Sequence, residues 1–265
     1  MTQRGRRPSV GTDRAGVPRV DVLGVGVSVI DYEAAARHVA TWIERRDQQY
    51  VCVTGVHGVM EAQRDLELRR ILNESGLTTP DGMPMVWAGK WAGADDMSRV
   101  RGPSLMERLC ARAARQGWRS FLYGGNDGVA SLLARRLAAR FPGFRVVGTH
   151  TPPFRPLTPA EDERIVDDIN AAEPDLVWVG LSTPKQERWM AAHLGRVKAP
   201  VLLGVGAAFD VHAGLQPEAP LFLQQIGMEW AYRLSREPRR LWRRYAYNNP
   251  RFAAAIVRRP PRLVA

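Results

Sequence analysis

Short apolar runs alternate with amphipathic stretches along most of this chain, and that alternation predicts its architecture. VDVLGVGVSVI reads as one or two short strands around Gly24, after which Asp31 is placed to cap a helix running through Arg46. YVCVT, residues 50–54, reads as a buried strand followed by a helical region to about Asn73. TTPDGMPMVWAGKWAG sets a tight Asp81-Gly82 turn between a short strand and an apolar helix, and Pro103-Ser104 opens another helix to about Gln116. The pattern then becomes regular. SFLYGGNDGVASLLARRLAARFPG is strand, glycine loop and helix; FRVVGTH is a strand; Thr158 and Pro159 start a helix; DLVWVGL is a strand; PKQERWMAAHL is a helix; VLLGVGAAFD is a strand with its exit loop. Apolar runs of this length between amphipathic helices predict an α/β fold, a mostly parallel sheet with helices on both faces.

The alternation stops near residues 216–228, where a domain boundary is placed. The expected organisation is a disordered basic tail over 1–19, an α/β core over 20–216 and an arginine-rich helical appendage over 217–265. From Glu229 onward the chain has ten arginines, no lysine and only two acids, Glu229 and Glu237. On one helical wheel Trp230, Leu234, Leu241 and Tyr245 share a stripe, opposite Arg233, Arg236, Arg239, Arg240, Arg243 and Arg244. Pro238 breaks a continuous helix but fits the first turn of a second one, so a kinked pair is expected. An apolar stripe backed by arginines suits an anionic membrane surface, and guanidinium forks also match a lipid diphosphate. A basic surface helix packed on its own core is the plainer alternative.

Hydrophobic content of 45% and charged content of 25% are those of an ordinary soluble protein, but the net charge of +11 is not. Such a charge draws nucleic acid, anionic lipid or phosphorylated ligands without separating them. Cys52 and Cys110 lie far apart in apolar segments and read as reduced core residues. No apolar run reaches the roughly 18 residues of a membrane span, and no apolar stretch follows the basic N-terminus to make an export signal. Membrane contact is therefore expected to be peripheral, on the cytosolic side.

In open α/β sheets ligands bind beyond the carboxyl ends of the strands. That rule singles out the loops from Thr54 to His57, Asp81 to Met85, Gly124 to Gly128, Leu181 to Gln186 and Gly204 to Asp210. Gly124-Gly125-Asn126-Asp127-Gly128 precedes a helix and can cradle a phosphate, or serve as a tight turn; it matches neither GxGxxG nor the Walker pattern. Asp81 is a turn former, or a general base in a partly desolvated setting among Met83, Met85, Val86 and Trp87. Gln186 suits a sugar hydroxyl or pyrimidine edge and Lys185 a phosphate, while Glu187 in the first helical turn favours the helix dipole and needs no further role. Arg99 and Arg101 are phosphate candidates or solvated surface residues. Asp210 binds hydroxyls or caps a turn, and His57 reads as a half-buried helix residue.

Taken in order, TTPDGMPMVW, RVRGPSL, FLYGGNDGVA, PDLVWVGLSTPKQERWM, VLLGVGAAFDVHAG and MEWAYRLSREPRRLWRRY resemble the WecG/TagA/CpsF family of glycosyltransferases over about residues 20–247. The resemblance implies an inverting, metal-independent transferase with a Rossmann-like core and no cofactor. It would move a sugar from a UDP-sugar (N-acetylmannosamine-type, glucose or uronic acid) to a polyprenyl-diphosphate-linked acceptor in surface polysaccharide or teichoic acid synthesis. It places the catalytic base on Asp81, donor contacts on Thr54, Arg99, Gln186 and Asp210, and acceptor-diphosphate contacts among Arg233, Arg236, Arg240 and Arg243. Gly124, Gly125 and Lys185 complete the expected donor site. The expected location is cytoplasmic, on the inner face of the plasma membrane; a homo-oligomer is left open, and no nucleic acid is expected.

Two departures from the family pattern stand out. Thr54-Gly55-Val56-His57 lacks the family's Asn after the strand-end Thr, and Glu218 stands before Ala219-Pro220 where the family has Arg. They keep open a catalytically altered family member at the membrane. Charge alone supports a nucleic-acid-binding protein, which lacks any helix-turn-helix, RNP or zinc signature here. The α/β core alone suggests a nicotinamide-dependent oxidoreductase, against which the missing GxGxxG fingerprint counts.

Overall fold

The structure, a computed structural model, describes residues 16–264. It opens with a hairpin of β1 (Arg19–Val22) and β2 (Val25–Ser28), turned at Leu23 and Gly24, both at positive φ as a two-residue hairpin turn requires. The structured chain thus begins before residue 20: Val17 is buried, and Arg19 is buried with its guanidinium donating to the Ser75 carbonyl at 2.6 Å. Of the tail expected over 1–19, residues 1–15 lie outside the described residues.

α1 (Tyr32–Arg45) follows, with the Asp31 carboxylate accepting from the Ala34 N–H at 2.7 Å. Then come β3 (Gln49–Thr54), α2 (Val56–Glu61), α3 (Leu66–Glu74), β4 (Leu77–Pro80), α4 (Met83–Trp91) and α5 (Gly102–Gln116). The next stretch comprises β5 (Arg119–Gly124), α6 (Val129–Arg140), β6 (Arg145–His150), α7 (Pro159–Ala171), β7 (Leu176–Gly180), α8 (Lys185–His193), β8 (Val201–Gly204) and α9 (Ala208–His212). The chain finishes with α10 (Leu221–Gln225), α11 (Glu229–Arg236), α12 (Pro238–Arg258) and β9 (Arg262–Val264).

Six strands form one parallel sheet in the order β4-β3-β8-β7-β5-β6. Leu176, Val177, Trp178, Val179, Val201, Leu202 and Leu203 are all fully buried, because helices or the hairpin cover both faces. One face is packed by α1, α5, α6 and α9, and the other by α3, α8, the hairpin and the end of α12 through Phe252 and Ile256. The α/β reading of the sequence holds.

A second sheet was not expected. β9 pairs antiparallel with β1, giving the order β2-β1-β9, so the chain's last described strand closes on its first. The C-terminal helices are thereby tethered at both ends, to α9 through the preceding loop and to the hairpin through β9. The kink at Pro238 is as expected: the residue occupies the first turn of α12, where its missing N–H costs little. Pro250 sits inside α12, where it has no N–H to give the Ala246 carbonyl. Burial of Asn248, Phe252 and Ile256 on either side holds the helix across that break.

The end of β5 shows how tightly the sheet sets its loops. A Cβ on Gly124, at φ +120°, would stand 2.6 Å from the Gly180 carbonyl oxygen on the neighbouring strand. Gly124→Ala is expected to destabilise the fold by about 2–4 kcal/mol, read as a lower urea midpoint at unchanged m-value.

Candidate active site

The carboxyl ends of β3, β4, β7 and β8 converge on a cavity of about 590 Å³, closed on its other side by α11 and α12. A second cavity of about 890 Å³ lies beyond the ends of β5 and β7. The two adjoin, since Ser182, Gly206, Ala207, Gln216, Pro217 and Arg240 line both. This is where parallel-sheet topology puts ligands.

Asp81 stands in the wall of the first cavity. Its backbone N–H donates to the Thr54 carbonyl at 2.9 Å, and Gly82 at φ 96° turns the chain into α4. Gly55 is required opposite, because a Cβ there would meet the Asp81 carbonyl oxygen at 2.6 Å. Burial pushes the Asp81 carboxyl up, the Glu229 carboxylate adds to that, and Arg101, Arg233 and Arg99 oppose it. A carboxylate whose proton affinity is raised in this way is a better base than an ordinary surface aspartate.

Arg101 is the structural hub of this wall. It is 5% exposed, and its guanidinium reaches Gln224 Oε1 at 2.5 Å, Glu218 at 2.9 Å and Glu229 at 3.2 Å. Arg99 donates to the Gln224 carbonyl at 2.8 Å and lies 3.5 Å from Glu229. Both arginines therefore join the β4–α5 connection to α10 and α11. Glu218 is a partner of Arg101, so its charge is compensated inside this chain.

The other expected residues divide between the cavities. Thr54, buried, and Gln186, buried, line the first, together with Arg99. Lys185, Gly125 and Asp210 line the second. Burial raises the Asp210 carboxyl, with Arg240 opposing and Glu237 adding. The Gly125 N–H already donates to the Gly180 carbonyl at 3.0 Å, so that donor is not open to a phosphate. Gly124 lies within the strand, where its lack of a side chain serves the approach to Gly180.

The arginines of the last helices do not all face the same way. Arg233 and Arg244 line the first cavity, Arg236 the second and Arg240 both, whereas Arg243 lines neither and lies over the Trp242 ring at 5.5 Å. The division follows helical phase: on a wheel carried through Pro238, Arg233, Arg240 and Arg244 fall within about 40° of one another, whereas Arg236 and Arg243 lie further round. Neither Arg233 nor Arg244 has an ion-pair partner among the described residues, and burial with Arg240 beside it pushes Arg244 down. A cavity holding guanidinium groups without carboxylate partners is built for an anion.

His57 is half-buried on α2 as expected, and burial, then Arg244 and Arg64, lower it to about 4, so it is neutral at ordinary pH. Glu187 lies in the first turn of α8 as expected, with more holding it than the helix dipole. It is fully buried, accepts from Thr183 Oγ1 at 2.8 Å and from Gln186 Nε2 at 3.1 Å, and leaves Oε2 without a partner. The first helical turn it occupies faces the sheet and not solvent, and burial raises its pKa. Its position between two cavity-lining residues gives it a structural hold on both.

The sequence model described as Glycosyl transferase WecG/TagA/CpsF family matches residues 20–263. The chain belongs to that family and is a glycosyltransferase. Among curated proteins it is 27% identical over 218 residues to the N-acetylglucosaminyldiphosphoundecaprenol N-acetyl-beta-D-mannosaminyltransferase of Bacillus spizizenii, covering 82% of each chain. It is 24% identical over 233 residues to the protein of the same name from Staphylococcus aureus strain MW2, covering 87% of this chain and 90% of the relative.

The folded state holds the Glu187 proton above the usual carboxylate range, so it binds more protons there than the unfolded chain and loses stability at that position as pH rises past the unfolded value. Glu187→Gln is expected to raise the urea midpoint at about pH 8 and to change it little at about pH 4. Equal effects at both values would show that burial of the charge is not what that position contends with.

Proposed function

We propose that this chain transfers a sugar from a UDP-sugar to a polyprenyl-diphosphate-linked sugar, by one in-line displacement without a metal ion. The reading rests on one observation above all: a carboxyl of raised proton affinity stands in an anion-adapted cavity that adjoins a second one. The second cavity is assigned to the nucleotide, with Lys185, Arg236 and Arg240 facing its diphosphate and Asp210 its hydroxyls. The first is assigned to the acceptor, with Arg233, Arg240 and Arg244 near its diphosphate. Thr54, Gln186 and Arg99 stand on the first cavity's wall, where the transferred sugar meets the acceptor.

In this mechanism Asp81 accepts the proton of the acceptor hydroxyl as its oxygen attacks the anomeric carbon. The bond from that carbon to the phosphate oxygen breaks, and UDP leaves with the electron pair. Attack opposite the leaving group inverts the anomeric configuration. The charge developing on UDP is met by Arg240 and Lys185, preorganised cations that do the work a metal ion does elsewhere. Among the described residues no group of three or more His, Cys, Asp or Glu side chains is clustered to hold a metal.

The donor sugar is proposed to be N-acetylmannosamine, by analogy with the names of the relatives. The proposed setting is peripheral, at the inner face of the plasma membrane, where a polyprenyl-linked acceptor would be met; no described helix is long and apolar enough to cross a membrane. Residues 217–265 act as the acceptor-binding and membrane-facing part, tied to the core at Arg101.

Asp81→Asn keeps the shape of the side chain and removes the base. It is expected to lower transfer by about 10²–10⁴-fold while UDP binding persists, measured by product formation and thermal shift. Near-wild-type turnover would rule out the role. Arg240→Ala, which empties a position shared by both cavities, is expected to raise the apparent KM for donor and acceptor by about tenfold each. An effect on one substrate alone would contradict the assignment of the cavities.

A further inference from the structure

One buried amide at the first cavity has no part in the transfer chemistry described so far. Asn248 on α12 lines that cavity and is 4% exposed. Its Nδ2 lies 3.3 Å from His57 Nδ1, and its Oδ1 has no hydrogen-bond partner among the described residues. Gln186, on the sheet side of the same cavity, is in the same condition: buried, with Nε2 held by Glu187 and Oε1 unpartnered. A buried amide oxygen left without a donor destabilises the fold, and a ligand N–H or O–H that reaches it removes that cost.

Helical spacing indicates which part of a ligand lies there. Arg240, Arg244 and Asn248 succeed one another at four-residue steps along α12, and all three line the first cavity. Each step rises about 6 Å, a distance that one sugar ring spans. A diphosphate held at Arg240 and Arg244 therefore sets the sugar attached to it beside Asn248. The loop Thr54-Gly55-Val56-His57 carries no amide side chain of its own, and its Thr54 carbonyl receives the Asp81 N–H at 2.9 Å. A sugar between that loop and Asn248 stands on the wall that carries Asp81.

We propose that Asn248 binds the sugar of the acceptor, its Oδ1 accepting a hydrogen bond from an acetamido N–H or a hydroxyl of that sugar. His57 is then a positioning residue. Its Nδ1 takes the amide Nδ2, which leaves Oδ1 as the end open to a ligand. This inference rests on the reading of the first cavity as the acceptor site.

The test uses the full chain with a UDP-sugar donor and two water-soluble acceptors, a short-alkyl diphosphate carrying a 2-acetamido sugar and its 2-deoxy counterpart. Asn248→Ala is expected to raise the KM for the 2-acetamido acceptor about tenfold, with kcat and the donor KM changed less than about twofold. A loss confined to the 2-acetamido acceptor assigns the contact to the acetamido N–H; an equal loss on both assigns it to a hydroxyl. His57→Phe is expected to raise the acceptor KM about threefold, and His57→Asn, which keeps a hydrogen-bond acceptor there, to restore it. In the wild type, the Asn248 side-chain amide resonance is expected to shift in proton–nitrogen NMR when the 2-acetamido acceptor is added, and not with UDP alone.

An Asn248→Ala variant that melts like the wild type and keeps its acceptor KM overturns the proposal, as does one that raises the donor KM alone. If that variant fails to fold, the wild-type resonance decides: a shift with UDP and none with the acceptor also overturns it. Absence of wild-type transfer to the 2-acetamido acceptor is a different failure, that of the transferase reading itself.

Discussion

The buried guanidinium of Arg101 is the contact on which the rest of this site depends. It draws Glu218, Glu229 and Gln224 from the segment after α9 onto the connection that carries Asp81. Removing a partner from a buried ion pair leaves an uncompensated charge, a loss of about 3–5 kcal/mol in comparable settings. Without that hold α11 loses its ion-paired anchor at the cavity wall, and Asp81 loses the Glu229 charge that adds to burial in raising its proton affinity. Structure and chemistry thus meet in one cluster of three acids and several arginines.

The distribution of positive charge follows the same logic. Arginines in exposed pairs such as Arg46–Asp175 and Arg108–Glu33 are balanced by their partners and contribute little to stability. Arg233 and Arg244 differ because they face the cavity without carboxylate partners, and cations held together there repel one another until an anion arrives. An anionic ligand relieves a cost that is already present in the folded protein.

Much of this was legible in the sequence. The parallel sheet was readable because its strands are short apolar runs bounded by turn residues, and the Asp81-Gly82 turn because it stands at a strand end before an apolar helix. β9 was not, since Arg262-Leu263-Val264 carries no pattern and its partner lies at the opposite end of the chain. The burial of Glu187 was not legible, because its place in a first helical turn does not show which side of the helix is covered. Arg243, expected near the acceptor diphosphate, lines neither cavity, and Arg244, for which no such role was expected, lines the first. Arg101 looked equivalent to Arg99 in sequence; only burial distinguishes the hub from its neighbour.

Burial, and after it Glu229 held by Arg101, raise the proton affinity of Asp81. Carbon-detected NMR titration of the Asp81 carboxyl, in the wild type and in Glu229→Gln, tests it most directly. The wild-type midpoint is expected above the ordinary aspartate value of about 3.9, and the midpoint of the variant below that of the wild type. A wild-type midpoint at or below that value, or one that Glu229→Gln leaves in place, would contradict it.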